Sequence, residues 1–190
     1  TARSRTKPHL VLAALLGLGV CTAGTCPPAP GADPVVRAVA GIAPQVERLA
    51  AETRPPDWAM LRACLYYALA GQRLLAARGI ATALRLGTIV YAPGTAARHP
   101  IHPHVWLESG THLIDFSTLP RWGKPTVVPL ARVTRSPRRP MPGAAQVLTL
   151  LEPCDEPCLG WLAEHRARFR TRAAETDPGP LGEAPAPRVW

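Results

Sequence analysis

Three side chains of types suited to acyl chemistry are Cys64, His104 and Asp115. A thiolate attacks acyl carbons, a protonated imidazole beside it favours the thiolate form, and a carboxylate on the far ring nitrogen fixes the imidazole's tautomer. Such a group works only if the fold brings its members together, and the spacing offers a way. Residues 104–108 and 111–116 flank Ser109-Gly110 and read as an antiparallel hairpin. With a two- or four-residue turn centred on Ser109-Gly110, Leu107 faces His112, Val105 faces Ile114, and His104 faces Asp115. Residues directly opposite have Cβ atoms ~4.5 to 5.5 Å apart on one side of the sheet, so the imidazole and the carboxylate meet. A three-residue turn slips the pairing by one and sends one partner to the opposite face.

The elements that must carry these residues follow from changes of period along the chain. Asp33-Pro34 is an N-cap followed by proline at the first helical position, and Val35, Val36, Val39, Ile42, Val46 and Leu49 continue at helical spacing, with Pro44 expected to kink or break that helix. Pro55-Pro56-Asp57 stops it and caps a second helix, in which Leu61, Cys64, Leu65, Ala68, Leu69, Gln72, Leu75 and Ala76 share a face until Gly79. An N-cap at Asp57 puts Cys64 in the second turn, where the helix dipole has faded; either the helix starts nearer Ala63 or the thiol depends mainly on His104. Thr82 to Tyr91, the hairpin, and Thr126 to Leu130 read as strands, and Asp155 to about Arg172 as a closing helix with Leu159, Leu162 and Phe169 as its apolar positions. Helices at the start, a small antiparallel sheet and a C-terminal helix make an α+β domain.

With the motifs in this order the chain resembles the transglutaminase-like cysteine peptidase superfamily. The resembling pieces are Cys64-Leu-Tyr-Tyr-Ala-Leu-Ala-Gly-Gln-Arg-Leu-Leu-Ala-Ala-Arg-Gly79-Ile80, His104-Val-Trp-Leu-Glu108 and Leu113-Ile-Asp115-Phe-Ser117, within residues 57–120. The bacterial branch with lasso-peptide leader proteases is especially similar. The resemblance implies a papain-like, transglutaminase-like fold and a catalytic triad of Cys64, His104 and Asp115. The Gly-Gln or Gly-Asn that some relatives place just before the nucleophile is missing here. That leaves the backbone N–H of Cys64 as the natural oxyanion donor.

Other candidates are weaker. His99, His102 and His104 lie in His99-Pro-Ile-His102-Pro-His104, but no acidic or thiol ligand is close in sequence, so no metal is expected; His99 and His102 go to a substrate rim or to solvent. Trp106 is assigned to packing. Twenty Arg and two Lys give a net charge of +9, yet the stretches Arg132 to Arg139 and Arg166 to Arg172 lack interleaved aromatics and glycines. They read as a solvated surface, not a nucleic-acid site.

One hundred and ninety residues suit a single domain with appendages, and 47% apolar residues exclude wholesale disorder, so the 23 prolines must cluster. Residues 1–32 join a basic start, an apolar run over 10–20 and a Pro-rich linker, the layout of an export signal, with a core helix of a cytoplasmic domain as the alternative. The run is too short to span a membrane ordinarily, so membrane contact is expected only through an uncleaved N-terminal segment. The domain is placed at 33–175 and a Pro/Ala-rich tail at 176–190. Cys154 and Cys158 can form a local disulfide in an oxidising compartment, and Cys26 paired with either is equally allowed. The expectation is a thiol enzyme acting on an amide or thioester carbonyl of a peptide or protein substrate without a cofactor. Hydrolysis comes first and acyl transfer second. The alternative is a catalytically silent peptide-binding module of the same fold.

Overall fold

The structure is a computed structural model that describes residues 33–58, 63–92, 99–135 and 147–176. The signal-like segment, Cys26 and the tail from 177 onward lie outside them. All the elements belong to the unit that begins at Ala32.

Helix α1 spans Pro34–Thr53 and is capped by Asp33, whose carboxylate accepts from the Val35 N–H at 2.8 Å. Of the kink or break expected at Pro44, the break does not occur: the helix runs on through it. Pro44 and Ala40 are both exposed, so the carbonyl that loses its partner faces water, while buried Val39, Ile42, Ala43 and Val46 hold the helix down. Helix α2 spans Cys64–Ala76 with Ala63 as its N-cap, so Asp57 does not cap it and Cys64 is its first residue. It is buried nearly all round, being packed between α1, the sheet and the last helix. Gly79, at φ +74°, ends the turn that follows.

The strands are β1 (Ala83–Tyr91), β2 (Ile101–Glu108), β3 (His112–Asp115), β4 (Thr126–Pro129), β5 (Val133–Arg135) and β6 (Val147–Leu151), in the order β4-β3-β2-β1-β6-β5. Helix α3 is the short Leu119–Trp122, and α4 is Glu156–Thr176. The mixed α/β architecture is compatible with the α+β expectation, with one correction. The sheet has six strands, not four, and β5 runs parallel to β6, so it is not purely antiparallel.

The sheet cannot be flat. Its outermost strands, β4 and β5, are consecutive in the chain and joined only by Leu130–Arg132. Five inter-strand gaps of ~4.8 Å would hold flat edges ~24 Å apart. Four extended Cα steps reach only ~14 Å. The sheet therefore curls until its edges approach, and Arg135 on β5 reaches Glu108 on β2 at 2.7 Å. Val105, Leu107 and Ile114 face the helices in one core cluster. Trp106, Leu113, Ile89, Val128 and Val147 form a second cluster on the inner side of the curl.

Helix α4 lies against α1 and α2 through His165, Phe169 and Ala173. Leu159, expected in its apolar stripe, is 58% exposed because it sits in the first turn, outside the row that docks. Tyr66 donates to His165 Nδ1 at 3.1 Å, and the rings of Trp58 and Trp161 both lie 4.7 Å from that imidazole. Burial lowers the His165 pKa, which keeps the ring neutral and able to accept this bond.

Candidate active site

His104 on β2 and Asp115 at the end of β3 are both almost wholly buried, and His104 Nε2 lies 2.7 Å from Asp115 Oδ2. They share a face, but not by the pairing expected. The turn sits at Gly110-Thr111: the Ser109 N–H donates to the His112 carbonyl, and the ladder pairs Glu108 with Leu113 and Leu107 with Ile114. Ser109 Oγ stabilises this turn by accepting from the N–H groups of Thr111 and His112. The register is thereby slipped by two residues, which preserves the alternation of faces. Asp115 falls across from Trp106, and His104 meets it on the diagonal, within reach of an imidazole.

Cys64 enters from α2. Its side chain hydrogen-bonds to His104 and attracts the ring's charge. Because Nε2 is taken by Asp115, Nδ1 is the nitrogen left for the thiol. The structure thus brings Cys64, His104 and Asp115 together around one imidazole. Gly71 of α2 matters to this approach, because a Cβ there would overlap the Phe116 ring, the residue next to Asp115.

Asp115 is fully paired. Oδ2 accepts from His104 Nε2 and from the Tyr91 hydroxyl; Oδ1 accepts from the Ser117 N–H at 2.9 Å and the Ser117 hydroxyl at 2.7 Å. Burial by itself would raise the Asp115 pKa, but the His104 charge and these bonds outweigh it and hold the carboxyl below its ordinary value. Burial would lower the His104 pKa, but the charges and hydrogen bonds of Asp115, then those of Cys64, push it up to about 10. At neutral pH the pair is an imidazolium and a carboxylate.

A pH dependence of stability follows. The His104 contribution is complete below about 6.5 and is lost progressively as the pH rises to about 10; that of Asp115 is complete above about 3.8 and is lost as the pH falls below it. The difference in urea midpoint between wild type and His104→Ala is therefore widest between these limits and narrows on the alkaline side. A difference that stays constant to pH 10 would contradict the ion pair.

Tyr91 and Ser117 are the members that sequence reasoning missed. Ser117 falls in the Leu113-to-Ser117 stretch, where nothing in the sequence gives it a role, and Tyr91 carries only the signal of a strand-end residue with a polar tip. Trp106 is fully buried, as packing requires. Glu108 is buried and held by Arg85 at 3.1 Å and Arg135 at 2.7 Å, which ties β2 to β1 and β5. His102 is bonded to Thr88 at 2.9 Å and lies 3.6 Å from Glu152, outside the cluster around Cys64. Among the described residues no group of three His, Cys, Asp or Glu side chains is placed to hold a metal ion, and no helix is long and apolar enough to cross a membrane. Cys154 and Cys158 form a disulfide with Cα atoms 5.3 Å apart.

No protein-family model and no curated protein matches the chain. Among solved structures it is similar to the crystal structure of the genomics target APC5867, with 15% identity and a TM-score of 0.55 over 79% of this chain and 83% of that one. At that identity the likeness concerns the fold alone.

Proposed function

We propose that this chain is a thiol enzyme of papain-like, transglutaminase-like fold that cleaves an amide bond in a peptide or protein, with Cys64 as nucleophile, His104 as acid and base, and Asp115 as the residue that orients the ring. The observation that carries the reading is the single buried imidazole shared by the other two groups: Nε2 lies 2.7 Å from Asp115 Oδ2, and Cys64 hydrogen-bonds to the same ring. The Cys64 thiolate attacks the carbonyl carbon, and the negative charge moves to the carbonyl oxygen. The Cys64 backbone N–H, at the start of α2, is the candidate donor to that oxygen. As the C–N bond breaks, His104 passes its Nδ1 proton to the leaving amine, and a thioester remains. Water then attacks the thioester with His104 as base; an amine in its place gives acyl transfer. The Cys154–Cys158 disulfide supports export to an oxidising compartment.

Alkylation tests the reading without a known substrate. An ordinary thiol, with a pKa near 8.5, is almost wholly protonated at pH 6. Cys64 is expected to react with iodoacetamide at pH 6 at least about tenfold faster in the folded protein than in urea, located by peptide mass mapping. Equal rates would favour the silent peptide-binding module.

A further inference from the structure

Tyr91 ends β1 with its ring packed edge-on against Trp122, the centroids 5.1 Å apart. Its hydroxyl donates to Asp115 Oδ2, the same oxygen that accepts from His104 Nε2. Ser117 occupies the other carboxylate oxygen from its own chain neighbourhood, two residues away, so it turns with the loop. Tyr91 alone among these donors reaches Asp115 from a strand beyond β2, since the sheet order places β1 on the far side of β2 from β3. The curl of the sheet makes that reach possible.

We propose that Tyr91 is a positioning residue of the triad, which fixes the Asp115 carboxylate in rotation and limits its basicity so that the shared proton stays on His104. This rests on the function proposed above. A carboxylate that accepts from four donors has its charge spread over all of them and is a poor proton acceptor. With the Nε2 proton held on the ring, His104 is a full imidazolium, and its separate Nδ1 proton can pass to a leaving amine. Without the Tyr91 hydroxyl, Oδ2 has one donor fewer, the carboxylate pulls harder on the imidazolium, and its plane is held on one side only. The edge-on contact with Trp122 holds the Tyr91 ring in place. Burial first, then the Asp115 charge, hold the Tyr91 pKa well above its ordinary value, so the phenol keeps its proton wherever the enzyme works.

Tyr91→Phe keeps the ring against Trp122 and removes only the donor. In full-length protein labelled with ¹⁵N-histidine, the His104 signal, identified by its loss in His104→Ala, is expected to titrate at a higher pH in Tyr91→Phe than in wild type. Single-turnover acylation by p-nitrophenyl acetate should fall about tenfold, the loss expected for one hydrogen bond to a charged group. An unchanged His104 midpoint with an unchanged acylation rate would overturn the proposal and leave Tyr91 as packing. If the variant does not fold, ¹³Cζ-tyrosine spectra of wild type and Asp115→Asn read the same coupling. Tyr91 should then ionise at lower pH once the carboxylate charge is gone, and an unmoved Tyr91 would overturn the proposal. The His104 midpoint needs no substrate, whereas Cys64→Ala acylation tests the parent function, so the two failures are distinguishable.

Discussion

Cys64→Ala loses covalent acylation completely, with single-turnover rates falling on the order of 10⁶-fold, as when a triad loses its nucleophile. Among the described residues the two hydroxyls of the cluster are not available to replace the sulfur, since Tyr91 and Ser117 both spend theirs on the Asp115 carboxylate. The fold should survive. Cys64 is buried at the first residue of α2, and alanine, smaller only by the sulfur, leaves a minor void. The helix is held by Leu65, Ala68, Leu69 and Leu75 in the core shared with α1 and the sheet, and all four keep their side chains in the variant. Stopped-flow acylation with p-nitrophenyl acetate checks the prediction, with a thermal melt as the control for folding. A Cys64→Ala protein that acylates like wild type would remove the thiol from the chemistry.

The second large effect separates the two partners of the thiol. His104→Ala should be nearly as damaging as Cys64→Ala, because it takes away both the cation beside the thiol and the proton for the leaving amine. Asp115→Asn keeps the shape, yet turnover is expected to drop about 10⁴-fold, by analogy with the same change in a serine triad, because the amide favours the wrong imidazole tautomer. Stability also suffers. Four donors converge on the carboxylate, and an amide has a single acceptor oxygen, so buried donors are left unpaired at about 1 to 3 kcal/mol each. His99→Ala and His102→Ala should leave turnover almost unchanged, since His102 is engaged by Thr88 and Glu152. The comparison is made on all four variants under identical conditions. If His102→Ala proves the more damaging histidine change, the site lies elsewhere.

Much of the arrangement around His104 and Asp115 could be read from the letters, for a reason specific to strands. Alternation has a period of two, so any even slip leaves His104 and Asp115 on one face. The exact partner was not readable: whether the turn sits at Ser109-Gly110 or one residue later depends on the Ser109 hydroxyl capturing two N–H groups, a choice made by side-chain geometry. The start of α2 was left open for a similar reason. Asp57 offers a good cap, yet the helix begins at Cys64 with Ala63 as its N-cap.

What local pattern could not supply came from long-range closure. Strand β6 inserts between β1 and β5 although it follows β5 after 11 further residues, 136–146, and nothing in Val147–Leu151 names its neighbours. The three-residue link from β4 to β5 then forces the sheet to curl. That curl brings the Tyr91 hydroxyl to a carboxylate two strands away. Composition and period specify which residues are helical, extended or buried, because those preferences are local. The company that Asp115 keeps is decided by strand order and curvature, which arise from burying both faces of the sheet at once.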